Sequence, residues 1–356
     1  MLEWNKRNKP PMDERELETV VRSAYKPEEP YKYKFIDLIE EIFPEEIEKA
    51  ADELLNKPEI IPFILEATEE VVEEEKNRVS AFLLNLVAES FDVSGETGSG
   101  KNTLVEAVLN CFPKESWLKV TGASAKVLRY MGEVPTLYFA ERKGYQSPVE
   151  EETITEYDIK MAISEGKIVS IITAKDTEQG YIKKETKVRN FITTSTEVDI
   201  TEELKNRLWQ LTTDSSPEHM RKVKERKLQQ AALPPEQRIN TEKQKMILRC
   251  AVSRIWKEAP KKCIIPYAPE LIDIIGEESR AGRDTDKLLK ALFASAVLHY
   301  RNRPIVEFNG EPYLVCTPED LYNVLTWMDD AIFGTFTGGE ETKWFKARWE
   351  ICRRIL

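Results

Sequence analysis

Along residues 31–90 the apolar positions fall at helical spacing. Phe35, Ile36, Leu38, Ile39, Ile42 and Phe43 recur on one face, and Pro44, Pro58 and Pro62 punctuate the run. Residues 69–75 read as a solvated acidic face, and 82–87 as a buried helix leading onward. From 91 to 215 the period changes. Short apolar runs at 91–94, 117–120, 136–140, 168–173, 188–193 and 208–211 alternate with polar, Gly-bearing turns and helical stretches. That alternation predicts an α/β core, a parallel sheet flanked by helices.

The flanking regions read differently. Residues 1–30 are polar and proline-rich, with a short helix entered through Pro10-Pro11-Met12-Asp13. Residues 216–260 form charged helices, 222–230 and 241–256, around a Pro234-Pro235 break. In 261–356, the run 288–300 is a strongly amphipathic helix. Residues 305–308 and 313–316 make a hairpin around Asn309-Gly310, and Thr317-Pro318-Glu319-Asp320 starts a further helix. Helices followed by a hairpin predict a winged-helix-like unit. The expected domains are therefore 1–30, an N-terminal helical domain at 31–90, the α/β core at 91–215, a helical linker at 216–260 and a C-terminal domain at 261–356.

Composition narrows the function. The net charge of −11 argues against a simple basic module that coats nucleic acid, but allows Lys and Arg gathered on one surface. Five scattered cysteines with no CxxC pair, and only two histidines, argue against a zinc site and for reduced thiols. With no long apolar run and no signal-like start, the expectation is a cytoplasmic protein away from membranes.

The main chemical signal is Gly95-Glu96-Thr97-Gly98-Ser99-Gly100-Lys101-Asn102-Thr103, set between an apolar strand and a helical run. Glycines let backbone N–H groups curl around phosphates, and the helix N-terminus faces the same anion. Lys101 adds a point charge. The next position normally supplies a hydroxyl to Mg²⁺, but here it is Asn102. Asn102 offers an amide oxygen directly or through water; Thr103 is the alternative after a shift in register. The cofactors expected are ATP and Mg²⁺.

Such a loop needs a carboxylate at the tip of a neighbouring strand. Glu141, ending Thr136-Leu137-Tyr138-Phe139-Ala140-Glu141, is the candidate base and second metal ligand. Ala140 stands where an aspartate is usual. Thr193 or Thr194, at the end of another apolar strand, would orient the attacking water, and Thr194 is preferred. Arg207 has the position of an arginine finger for an adjacent subunit. Arg283, or Arg280, would contact the γ-phosphate within the subunit. The β-prone runs 168–173 and 181–191 predict a hairpin carrying Lys175, Tyr181, Lys183, Lys184 and Lys187. It could follow a nucleic-acid backbone, with Tyr181 stacking on a base. Taken alone, the lysines read better as a solvated edge that resists aggregation; the hairpin's place immediately before the polar-ended strand favours the nucleic-acid reading.

In this order, the motifs resemble an AAA+ ATPase of the hexameric helicase type and the minichromosome-maintenance helicases. The segment 283–296 is similar to their second-sensor helix. A closer resemblance is to the helicase portions of primase-helicase proteins from viruses, plasmids and mobile elements. Trp4-Asn5, Pro10-Pro11 and Arg22-Ser23-Ala24-Tyr25 look like the end of their primase-associated helical segment. Thr121-Gly122-Ala123-Ser124, Ile192-Thr193-Thr194-Ser195-Thr196 and residues 288–301 also look like this group. The resemblance implies a ring-forming ATP-driven DNA helicase, a hexamer, acting on single-stranded or forked DNA. It also implies a primase or polymerase domain upstream. The rivals are an ATP-dependent initiator or loader, a P-loop small-molecule kinase, and a degenerate ATPase that binds nucleotide only.

Overall fold

A computed structural model describes residues 41–120, 133–140, 156–173, 181–196, 202–274 and 281–336. The chain divides into two compact units, 1–32 and 33–356, and every described residue belongs to the second.

Three helices open it: α1 (Glu45–Leu55), α2 (Ile61–Ala67) and α3 (Glu75–Leu86). Residues 77–86 of α3 are all buried, the polar Asn77, Arg78, Ser80 and Asn85 included. The central sheet contains β1 (Phe91–Ser94), β2 (Trp117–Val120), β4 (Thr136–Phe139), β7 (Phe191–Ser195) and β8 (Trp209–Thr212). Its order is β2-β4-β7-β1-β8, and every neighbouring pair is parallel. Such strands are covered on both faces, which is why they read as short apolar runs. Phe91, Val93, Tyr138, Phe191, Ile192 and Trp209 are wholly enclosed. The fold is thus α/β, a five-stranded parallel sheet flanked by helices.

A second sheet holds the expected hairpin. β5 (Lys167–Thr173) and β6 (Tyr181–Val188) are antiparallel, and β3 (Glu133–Val134) pairs with β6 in parallel. Lys183 and Lys184 lie in β6, opposite Ile171 and Ser170. The turn, with Lys175, lies outside the described residues, as does Glu141. One expectation is corrected. The run 188–193, and a return strand reaching 191, is not a single strand. The chain leaves the hairpin at Val188 and enters the central sheet at Phe191.

Arg189 and Asn190 carry the chain from one sheet to the other. The Arg189 N–H donates to the Val134 carbonyl and the Asn190 carbonyl accepts from the Leu137 N–H, both at 3.0 Å, while both side chains are buried against polar groups. Arg189 donates to Asn85 Oδ1 (3.0 Å), Thr136 Oγ1 (2.7 Å) and the Asn85 carbonyl (2.6 Å), and it stacks on Trp256. Asn190 Nδ2 donates to the Glu89 carbonyl at 2.9 Å.

The remaining helices are α5 (Glu156–Glu165), α6 (Glu202–Lys205), α7 (Pro217–Ala232), α8 (Glu242–Glu258), α9 (Ala281–Leu298), α10 (Pro318–Trp327) and α11 (Asp329–Phe336). β10 (Ile305–Phe308) and β11 (Glu311–Val315) pair antiparallel, with β9 (Lys262–Ile264) parallel on the other side of β11. Asn309 and Gly310 both have positive φ, 53° and 77°, as a two-residue primed turn requires. Thr317 and Asp320 form a capping box on α10. One continuous apolar core runs from Ile47 to Ile332, and a smaller one, including Val134, Ile159, Ile168 and Leu208, lies under the hairpin. No helix among the described residues is long and apolar enough to cross a membrane.

In the acidic run 69–75, Glu69, Glu73 and Glu75 are exposed as expected, and the correction concerns Glu70 and Glu74, which are partly enclosed. Glu70 accepts hydrogen bonds from Thr241 and Lys245. Glu73 binds His219 and Lys222. Glu74 accepts from the Asp214 backbone N–H (2.7 Å) and Asn77 Nδ2 (2.5 Å). These carboxylates join the start of α3 to α7 and α8. Their bonds hold Glu73 and Glu74 in left-handed conformations, φ 57° and 62°, that side chains ordinarily avoid.

Candidate functional site

The glycine-rich loop leaves the C-terminal end of β1 and enters α4 (Lys101–Leu109). In parallel sheets that end is where ligands are held. Gly100, at φ 87°, caps α4 in a left-handed conformation. At Gly95 the constraint is space: a Cβ there would sit 2.2 Å from Thr213 Oγ1. Thr213 follows β8 and hydrogen-bonds Ser99 Oγ at 2.8 Å, so the strand beside β1 fixes the loop. Ser215 Oγ accepts from the Glu96 N–H at 3.2 Å.

Lys101 begins α4, and its side chain folds back into the loop. Its ammonium donates to the carbonyls of Gly95 (2.7 Å) and Glu96 (2.6 Å) and is largely buried. One turn-edge further, Asn102 Oδ1 accepts from Thr194 Oγ1 (2.9 Å) and Tyr138 Oη (3.0 Å). Strand alternation sorts the two threonines. Thr193 and Ser195 turn toward Asp92 of β1, at 2.5 and 2.6 Å, while Thr194 meets the phosphate helix. Lys101, Asn102 and Thr194 are therefore brought together with the loop.

The oxygen donors for Mg²⁺ do not assemble among the described residues. An amide oxygen has two lone pairs, and two hydroxyls already occupy those of Asn102. Ala140 offers no side-chain oxygen. Thr103 lines a cleft on another face of α4.

That cleft, of about 390 Å³, has the volume of a small-ligand pocket and was not foreseen from the sequence. Gly98, Ser99, Gly100 and Thr103 form one wall. Val71, Val72, Val223, Leu104 and Ile239 make it apolar, Arg226, Lys227 and Arg238 bring positive charge, and Glu70 and Glu74 bring carboxylates. His219, which also lines it, is buried between Glu73 and Glu74. Burial raises the Glu74 carboxyl above its ordinary range. The legible signal was His219 on an otherwise charged helix; its acidic partners lie about 145 residues away in sequence, a pairing that periodicity cannot reveal.

Arg207 and Arg283 stand apart from the loop. Arg207 precedes β8, at the end of the parallel strands opposite the loop, held by Glu203 and Ser164. Arg283 is exposed in the first turn of α9. That helix is fixed by Lys287, which donates to the carbonyls of Asn206 (3.2 Å) and Leu208 (2.9 Å). Among the described residues, neither arginine is joined to the glycine-rich loop by a hydrogen bond or ion pair. Tyr181, Lys183 and Lys184 lie on the hairpin strand, in a different sheet from the loop.

Residues 1–29 match the family Primase C terminal 1 (PriCT-1). The match links the chain to primase-associated proteins of DNA replication. No curated protein matches the chain.

Proposed function

We propose that this chain is the ATP-hydrolysing helicase module of a primase-helicase replication protein, with an AAA+ core and a winged-helix-like C-terminal domain. The carrying observation is the loop at the end of a central parallel strand. There Lys101 sits inside the turn, and Thr194 comes from the adjacent strand to the same helix start. The cleft beside the loop takes the nucleoside, with apolar walls for the base and basic side chains near its phosphates. Glu141 draws a proton from water and Thr194 orients that water. Arg207, far from its own loop, acts on the nucleotide of a neighbour in a ring. The hairpin carrying Tyr181, Lys183 and Lys184 grips single-stranded DNA. The primase-associated match at residues 1–29 supports the replication setting.

The test is ATP turnover and displacement of a labelled strand from forked DNA. Lys101→Ala should abolish both. Unchanged turnover would remove the loop from the mechanism. Turnover stimulated by DNA with no strand displaced would favour an initiator or loader.

A further inference from the structure

We propose that copies of this chain join head to tail, with the outer face of α7 on one copy seated against the β10–β11 hairpin of the next. The inference rests on the ring reading above and names its contact surfaces.

Of the sixteen residues of α7 only His219 is buried. Val223, Arg226 and Gln230 follow on the same side and line the cleft beside the glycine-rich loop. Arg221, Lys224 and Leu228 fall on the opposite side, at spacings of three and four, and all are exposed. Leu228 is 71% exposed. A helix polar on its outer side, with so little of it buried, commonly bridges one body to another.

Its charge selects the partner. α7 carries Arg221, Lys222, Lys224, Arg226 and Lys227 against Glu218 and Glu225. Glu225 pairs with Arg221, Glu218 and Glu73 with Lys222, and Glu69 with Arg226. The exposed Lys224 and Lys227 keep the outer balance positive. In a chain of net charge −11, a second copy offers the opposite sign.

The β10–β11 hairpin is the reciprocal feature. Ile305 and Phe308 are each 52% exposed, and the exposed Glu307 and Glu311 flank Phe308 in sequence and across the ladder. Lys262 of β9 binds Glu311, which leaves the tip with an excess of negative charge. Phe308 packs edge-on against Tyr313 and is held in place. Carboxylates at the tip repel a phosphate backbone, so this hairpin suits a protein surface better than DNA. Leu228 among cations and Phe308 among carboxylates match in polarity and in charge. Unlike patches joined in one direction close into a ring when the rotation allows. α7 then meets the nucleotide cleft with one face and the neighbour with the other. Docked, its basic stripe is covered.

Sedimentation velocity of the full chain with ATP, over a range of concentrations, tests the contact. Wild type should form species larger than a dimer; a monomer throughout, or a dimer alone, overturns the proposal. Arg221→Glu with Lys224→Glu, and separately Glu307→Lys with Glu311→Lys, should each weaken assembly by about tenfold or more. Unchanged assembly in both overturns it. An equimolar mixture of the two variants should assemble again, because reversed patches then meet reversed patches; a mixture that stays apart overturns the pairing. Circular dichroism checks folding, and Leu228→Ser and Phe308→Ser, each expected to weaken assembly several-fold, serve where a reversed pair fails to fold. If the α7 variant assembles as wild type but loses oligothymidylate, α7 is a nucleic-acid surface and the proposal falls. Titration calorimetry with ATP keeps the two readings apart. The α7 variant should bind ATP as wild type does, and a wild type that binds no ATP overturns the phosphate-loop reading instead.

Discussion

Single residues in the loop serve different physical ends, and substitution separates them. Gly95 is needed for room as well as for its φ of 154°, and Gly100 for conformation alone. Gly95→Ala drives a methyl into Thr213 Oγ1 and should cost about 1–3 kcal/mol. Gly100→Ala meets nothing within 4 Å and should cost about 1–2 kcal/mol from left-handed backbone strain alone. Chemical denaturation checks both. Adding Thr213→Ala should recover part of the Gly95→Ala loss and none of the Gly100→Ala loss; equal recovery would refute the distinction. His299 gives a pH signature. It is enclosed at the end of α9, hydrogen-bonded to the Ser295 carbonyl, and burial lowers its pKa below the ordinary 6.5. The unfolded chain therefore takes up a proton first as pH falls through 6.5, while the folded chain resists. Stability contributed by neutral His299 is fully present above 6.5 and declines as pH drops from there through the lowered folded-state value. Melting temperature against pH should fall in that window, and His299→Gln should flatten the slope. An unaltered slope would place its origin elsewhere.

At the scale of elements, the junction between hairpin and central sheet depends on a buried cation, Arg189, whose side chain donates to neutral oxygens. Burial lowers the Arg189 pKa to about 9, and amide, hydroxyl and carbonyl oxygens receive its donors. Arg189→Met keeps much of the volume but leaves Asn85 and Thr136 short of a donor, so stability should drop by roughly 3 kcal/mol. A loss below about 1 kcal/mol would mean that water fills the same role. This junction also marks how far the sequence could be read. The sheet strands, β5 and β6, and the Asn309-Gly310 hairpin were legible because they depend on local periodicity and turn chemistry. The loop and Thr194 were legible because the chemistry demands residue types in a fixed order. The split at 189–190 was not, since Val188 through Thr193 is mostly β-prone and the change of sheet follows the distant backbone partners Val134 and Leu137. The cleft was equally hidden. The acidic run at 69–75 carries a surface pattern, and only distant partners on α7 and α8 turn it inward.

For the whole molecule the open issue is how an acidic chain, of net charge −11, would hold a polyanion. Binding to single strands releases counterions, so affinity falls with salt by a slope of about 0.7 per phosphate contacted. If β6 and its turn supply those contacts, Lys183→Ala with Lys184→Ala should weaken binding to oligothymidylate and flatten the slope by about 1.4. An acidic exterior would repel DNA from other faces, which makes this loss hard to mask by nonspecific binding. The two lysines lie on a strand whose continuation, β7, reaches the phosphate helix through Thr194. The hairpin strand and the strand that meets α4 therefore share one stretch of chain, joined at the Arg189 junction. A device built this way should displace strands less well once its grip is weakened. Measured on forked DNA, the double lysine variant should unwind several-fold more slowly than wild type. A variant that matches wild type in salt slope and in unwinding would remove the hairpin from the DNA path, and the replication role would then need another basic surface.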